Sequence, residues 1–85
     1  MQITWRPVRD GDEARSKLPE SAFAFPHERK EPLTNAAHVR SAIARFGSVE
    51  GVSDRERAQA FENIKAAADY YGVNLHATSW HDLIA

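Results

Sequence analysis

The spacing of hydrophobic and polar positions along this chain is helical in some stretches and alternating in others. The clearest stretch runs from 53 to 72. Ala58, Phe61, Ile64, Ala68 and Tyr71 recur there at intervals of three and four residues, which gathers them into one stripe of a helix. Ser53 followed by Glu56 is a capping box, in which each side chain satisfies the other residue's backbone N–H. Gly72 stands where a left-handed residue closes a helix. The spacing predicts a helix over 54–71, about 27 Å long at ~1.5 Å per residue.

A second helical stripe, Ala36, Val39, Ala42, Ile43 and Phe46, predicts a helix over 35–46 with Thr34 as its N-cap. The connector from Gly47 to Val52 is short, so the two helices are expected to be antiparallel neighbours, with its glycines free to take positive φ. Near the chain ends the period is two. Ile3 and Trp5 alternate with Gln2, Thr4 and Arg6, and Val73, Leu75 and Ala77 alternate with Asn74 and His76. A small two-stranded edge pairing of these ends is therefore expected, with Pro7 confining the first to an edge. Thr78 or Ser79 caps a short C-terminal helix that puts Trp80, Leu83 and Ile84 on one side.

Between the first end and the helices, Pro19 and Pro26 bracket Phe23 and Phe25. Each proline favours extended geometry before it, so both rings face one side of an extended arm laid across the helices. The charged stretch 27–32 reads as a solvated loop, and 9–17 as a charged turn or linker. The fold expected is mainly α: one small domain over 1–85, with an arm and loops over 1–33 and a helical core over 34–85. Its predicted core is Phe23, Phe25, Val39, Ile43, Phe46, Phe61, Ile64, Ala68, Tyr71 and Trp80, with Leu18 and Trp5 added by the arm.

Composition narrows the function classes. A chain of 85 residues buries only about 60–65% of its unfolded surface, so its core is marginal and dimerisation is a natural supplement. There is no cysteine, which removes disulfides and thiolate chemistry and fits a reducing cytoplasm. Eleven basic residues against 12 acidic ones give a net charge of −1, a poor balance for a phosphate-binding protein. No signal peptide and no membrane span is expected.

The stretches Leu18-Pro19-Glu20-Ser21-Ala22-Phe23-Ala24-Phe25-Pro26, His38-Val39-Arg40-Ser41-Ala42-Ile43-Ala44-Arg45-Phe46 and Ile64-Lys65-Ala66-Ala67-Ala68, the last continuing to Tyr71-Gly72-Val73, resemble a family of small bacterial and phage-associated proteins of uncharacterised function. Arg29-Lys30-Glu31-Pro32-Leu33 and Val49-Glu50-Gly51-Val52-Ser53 belong to the same resemblance, which spans most of 18–73. It implies no activity, cofactor or catalytic residue.

Candidate chemistry is sparse. His27, His38, His76 and His81 lack the spacing of a zinc site. Asp10-Gly11-Asp12-Glu13 lacks the later ligands of a calcium loop and reads as a polar turn. Ser41 and His38 share a helical face, with no acid in that helix to orient the imidazole. The glycines at 47 and 51 lack the Lys-Ser/Thr of a phosphate loop. No catalysis, metal, cofactor or small-molecule substrate is expected.

Binding is the expectation that remains. Tyr70 falls opposite the apolar stripe beside Ala66, Gln59 and Asn63, a small aromatic patch suited to a protein partner or a second copy. Arg57 lies on the stripe itself, its stem packing and its head emerging, or else pairing with an acid across a dimer. The alternative is a weak nucleic-acid binder using Arg29, Lys30, His38, Arg40 and Arg45. Against it, the longer helix carries Asp54, Glu56, Glu62 and Asp69, which suits it poorly to a major groove.

Overall fold

Local chemistry sets the limits of both helices. The computed structural model describes residues 2–8 and 15–84. In chain order it has two strands, β1 (Phe23–Phe25) and β2 (Lys30–Pro32), then two helices, α1 (Ala36–Arg45) and α2 (Asp54–Tyr71). Short 3-10 turns occupy Arg15–Lys17, Glu20–Ala22, Phe46–Ser48 and Trp80–Leu83. The expected polar turn at Asp10–Glu13 lies outside the described residues, as does most of the charged stretch around it.

The reciprocal capping box of α2 forms as expected, with Glu56 N donating to Ser53 Oγ at 3.1 Å and Ser53 N donating to Glu56 Oε1 at 2.8 Å. Gly72 closes the helix at φ 71°, its N–H reaching Ala68 O. The cap of α1 is Asn35 rather than Thr34: Asn35 Oδ1 accepts from His38 N at 2.8 Å, while Thr34 is buried beneath. Phe46 leaves α1 for a 3-10 turn. Of the connector glycines only Gly51 takes positive φ. Gly47 instead lies against the C-terminal turn, where a Cβ would come within van der Waals contact of Leu83 O at 3.4 Å.

The largest departure from the mainly α expectation is a hairpin. β1 pairs antiparallel with β2, Phe23 opposite Pro32 and Phe25 opposite Lys30, so half of the presumed solvated loop over 27–32 is a half-buried strand. Arg29 in the turn and Glu31 within β2 take φ of 53° and 56°, a strained backbone for residues with a Cβ. Arg29 is steadied by its side chain, which donates to Leu18 O at 2.7 Å and lies 4.8 Å from the Phe23 ring centre. β1 lies on α2 and β2 on α1, and α2 meets β1 more extensively than it meets α1. The hairpin thus bridges the helices.

Phe23, Phe25, Val39, Phe46, Phe61, Ile64 and Ala68 are buried as expected, whereas Ile43, Tyr71 and Trp80 are only half-buried. Trp5, Leu18, Ala22, Ala24, Leu33, Ala42, Val49, Ala60 and Ala67 join them in the interior. Small residues are common in it because β1 presses close to α2. The expected pairing of the chain ends does not form. Residues 2–8 and 73–77 carry no strand, and neither segment hydrogen-bonds to the other. Trp80–Leu83 is a 3-10 turn under a Ser79–Asp82 box, and Ile84 is exposed rather than packed beside Trp80.

Candidate functional site

Two faces of α2 decide what the molecule can offer a partner. The first is occupied by the chain itself. Asn63, expected on the surface patch, is fully buried. Its Oδ1 accepts from Thr4 N at 2.9 Å and Trp5 N at 3.0 Å, while Nδ2 donates to Thr4 Oγ1 at 2.9 Å and Ala24 O at 3.0 Å. One side-chain amide therefore ties the N-terminal segment to both α2 and β1. Gln59 does related work, its Nε2 donating to Gln2 O at 2.7 Å. Both residues hold the fold together. A burial with every amide position used explains why helical phase alone misplaced Asn63.

Arg57 is likewise engaged within its own protomer. It pairs with Asp54 at 2.9 Å and lies 5.8 Å from the Trp80 ring centre, packing the C-terminal turn onto α2. Ala66 is half-buried. Tyr70 alone of the expected patch is strongly exposed, at 62%, and its ring meets Trp5 edge-on at 5.7 Å and Tyr71 at 4.9 Å.

The basic set is dispersed. Arg29 is engaged with Leu18 O and Phe23, and Lys30 Nζ donates to Glu50 O at 2.7 Å. Arg45 shares a shallow cleft with Glu31 and Glu50, whose charge offsets its own. His38 and Arg40 are exposed on α1. His38 and Ser41 share no hydrogen bond, and among the described residues no three His, Asp or Glu side chains group as metal ligands.

Where the hairpin turn meets the start of α2, Glu28 and Glu56 face each other beside His27, around a small cavity of about 120 Å³. The hydrogen bond with Glu56, then burial, pushes the Glu28 carboxyl above its ordinary range. Glu56 is held below its own by that bond and by the Ser53 N–H. Thr4 and Gln59, which also line this cavity, already bond within the chain.

The second face of α2 is open. A groove of about 510 Å³ runs between Ile3 and residues 73–77, floored by Ala66 and Ala68 and walled by Lys65 and Asp69. Val73, Leu75 and Ala77 are half-buried toward the fold while Asn74 and His76 are exposed, so this segment has the alternation of a strand without a strand partner. Its ends are fixed: Val73 N donates to Ala68 O at 2.8 Å, and Thr78 N to Asp82 Oδ2 at 2.9 Å. Between those anchors, the N–H groups of Asn74, Leu75, His76 and Ala77 make no hydrogen bond to the described residues. Ile3 is 44% exposed at the far wall.

A family model described as a family of unknown function (DUF6582) matches residues 2–78. The chain belongs to this family. No curated protein and no solved structure matches it. The match spans both faces of α2, from the segment stapled by Asn63 to the open edge at 73–77. In this DUF6582 chain the groove residues Ile3, Lys65, Asp69, Val73 and Leu75 were not singled out by sequence as a site, although the alternation of 73–77 was legible. Its partner was misassigned to the N-terminal segment, whose backbone Asn63 had already claimed.

Proposed function

We propose that the chain is a non-catalytic interaction module that receives an extended protein segment in the groove between Ile3 and residues 73–77. The observation that carries this reading is an alternating, uncharged stretch of backbone whose N–H groups from Asn74 to Ala77 have no partner among the described residues, set beside an apolar floor. An unpaired strand edge next to an apolar groove suits strand addition, in which main-chain hydrogen bonds give affinity and alternate side chains give selectivity. The setting we propose is cytoplasmic, bacterial or phage-associated, on the strength of the sequence resemblance and a chain free of cysteine. No helix of the described residues is long and apolar enough to cross a membrane.

A photo-crosslinking phenylalanine analogue in place of Tyr70, the exposed ring that follows the groove residue Asp69 in the chain, tests this in cells that carry the chain naturally. The expected adduct is destroyed by protease, is untouched by nuclease, and disappears when Leu75→Asp is added. A nuclease-sensitive adduct, or one indifferent to Leu75→Asp, overturns the reading.

A further inference from the structure

We propose that the segment received in this groove is residues 73–77 of a second copy of the chain, paired antiparallel about Leu75. The inference rests on the reading of the groove given above and names its occupant. Three observations single out a second copy.

The first is self-complementarity of the edge. A two-fold axis through an antiparallel pair places residue 75 opposite itself, 74 opposite 76 and 73 opposite 77. Val73, Leu75 and Ala77 share one face of each strand, so pairing makes one continuous apolar face from both copies. The second is the absence of the devices that normally block such pairing. Exposed edges are commonly protected by lysine, glutamate, proline or a bulge, whereas Val73-Asn74-Leu75-His76-Ala77 holds no lysine, glutamate or proline.

The third is charge. The α2 wall of the groove carries Lys65 between Glu62 and Asp69. Lys65 stands 3.9 Å from Glu62, while Asp69 has no ion pair among the described residues. A two-fold reverses this wall against itself and brings Lys65 of each copy toward Asp69 of the other. A partner of uniform charge would meet repulsion from one sign or the other; the same wall reversed meets opposite signs. Ile3, one of the three large apolar side chains most exposed among the described residues, lines the same groove and would be covered with it.

The test uses the purified chain by sedimentation equilibrium from micromolar to millimolar concentration. A monomer–dimer equilibrium is expected, and Leu75→Asp should shift it to monomer while far-UV circular dichroism stays native. Lys65→Glu should weaken the dimer by about tenfold, and adding Asp69→Lys should restore it to within about threefold, a rescue that misfolding cannot imitate. Because the chain has no cysteine of its own, Leu75→Cys should give a disulfide-linked dimer on mild oxidation, and His38→Cys on the exposed face of α1 should not. A monomer at every concentration, or a dimer indifferent to Leu75→Asp and to the charge exchange, overturns the inference. A monomer whose Tyr70 adduct still depends on Leu75 overturns the second copy alone and leaves the groove reading standing. Loss of both removes the two together.

Discussion

Residues 2–6 and 73–77 are two extended stretches of alternating polarity, both laid along α2, and they solve the same physical problem differently. An extended backbone exposes N–H and C=O groups that need partners once water is displaced. The first stretch finds them inside the molecule: Asn63 takes Thr4 N and Trp5 N, Gln59 takes Gln2 O, Ser21 O takes Arg6 N at 2.9 Å, and Trp5 Nε1 reaches Leu33 O at 3.1 Å. The second is held only at its ends, by Ala68 O and by the Asp82 carboxylate. The difference lies in α2 rather than in the stretches themselves. The face under the first presents a carboxamide that can both donate and accept; the floor under the second is Ala66 and Ala68, which can do neither, and Lys65 and Asp69 at its wall make no hydrogen bond to residues 73–77. One stretch is therefore part of the fold, and the other is left as an edge.

The sharpest way to break this contrast is to remove the carboxamide. Asn63→Leu leaves Trp5 N and Ala24 O buried without partners, and stability should fall by about 3 kcal/mol. The denaturation midpoint measures it, and the Trp5 amide should lose its protection from hydrogen exchange. A change near zero would mean that residues 2–6 are held by side-chain packing alone. The next effect is at the start of the second stretch. Gly72→Ala forces a Cβ into left-handed backbone at φ 71° and should cost about 1 kcal/mol, read in the same denaturation experiment.

The smallest effect is at the far end of that stretch. The Asp82 carboxyl is held below its ordinary value of 3.8, first by the Thr78 N–H, then by the Thr78 hydroxyl and the Ser79 N–H. A depressed folded value means that this anchor's contribution is present above pH 3.8 and lost as the pH falls through the lower folded value. Asp82→Asn should flatten the stability profile in that acid window and loosen the Thr78 amide, while the Trp5 amide keeps its protection. Equal loosening at both amides would show that the two stretches are not independent.

How much of this was legible depended on how local each cause was. The capping box at Ser53 and Glu56, the left-handed Gly72 and the phase of α2 involve neighbours a few residues apart, and they appear as the spacing predicts. The burial of Phe23 and Phe25 was readable because two rings on one side of an extended arm need cover. The hairpin was not readable, because it takes positive φ at Arg29 in the turn and Glu31 in β2 rather than at glycine or asparagine. The candidate patch failed at Asn63 and Gln59 for a related reason. An amide on the polar side of a helix looks the same in sequence whether it faces water or another segment's backbone. Tyr70 survived as an exposed aromatic, and the groove emerged only once residues 73–77 were seen without a partner.

The sequence by itself determined the helix phases, the extent of α2 and the alternation of both chain ends, because each is set by contacts within a turn or two of backbone. Tertiary structure alone decided which extended stretch would be stapled and which left open. That choice turns on whether a hydrogen-bonding side chain or a methyl group faces the arriving backbone, and Thr4 and Asn63 meet only because the folded chain brings residues 59 apart in sequence into contact.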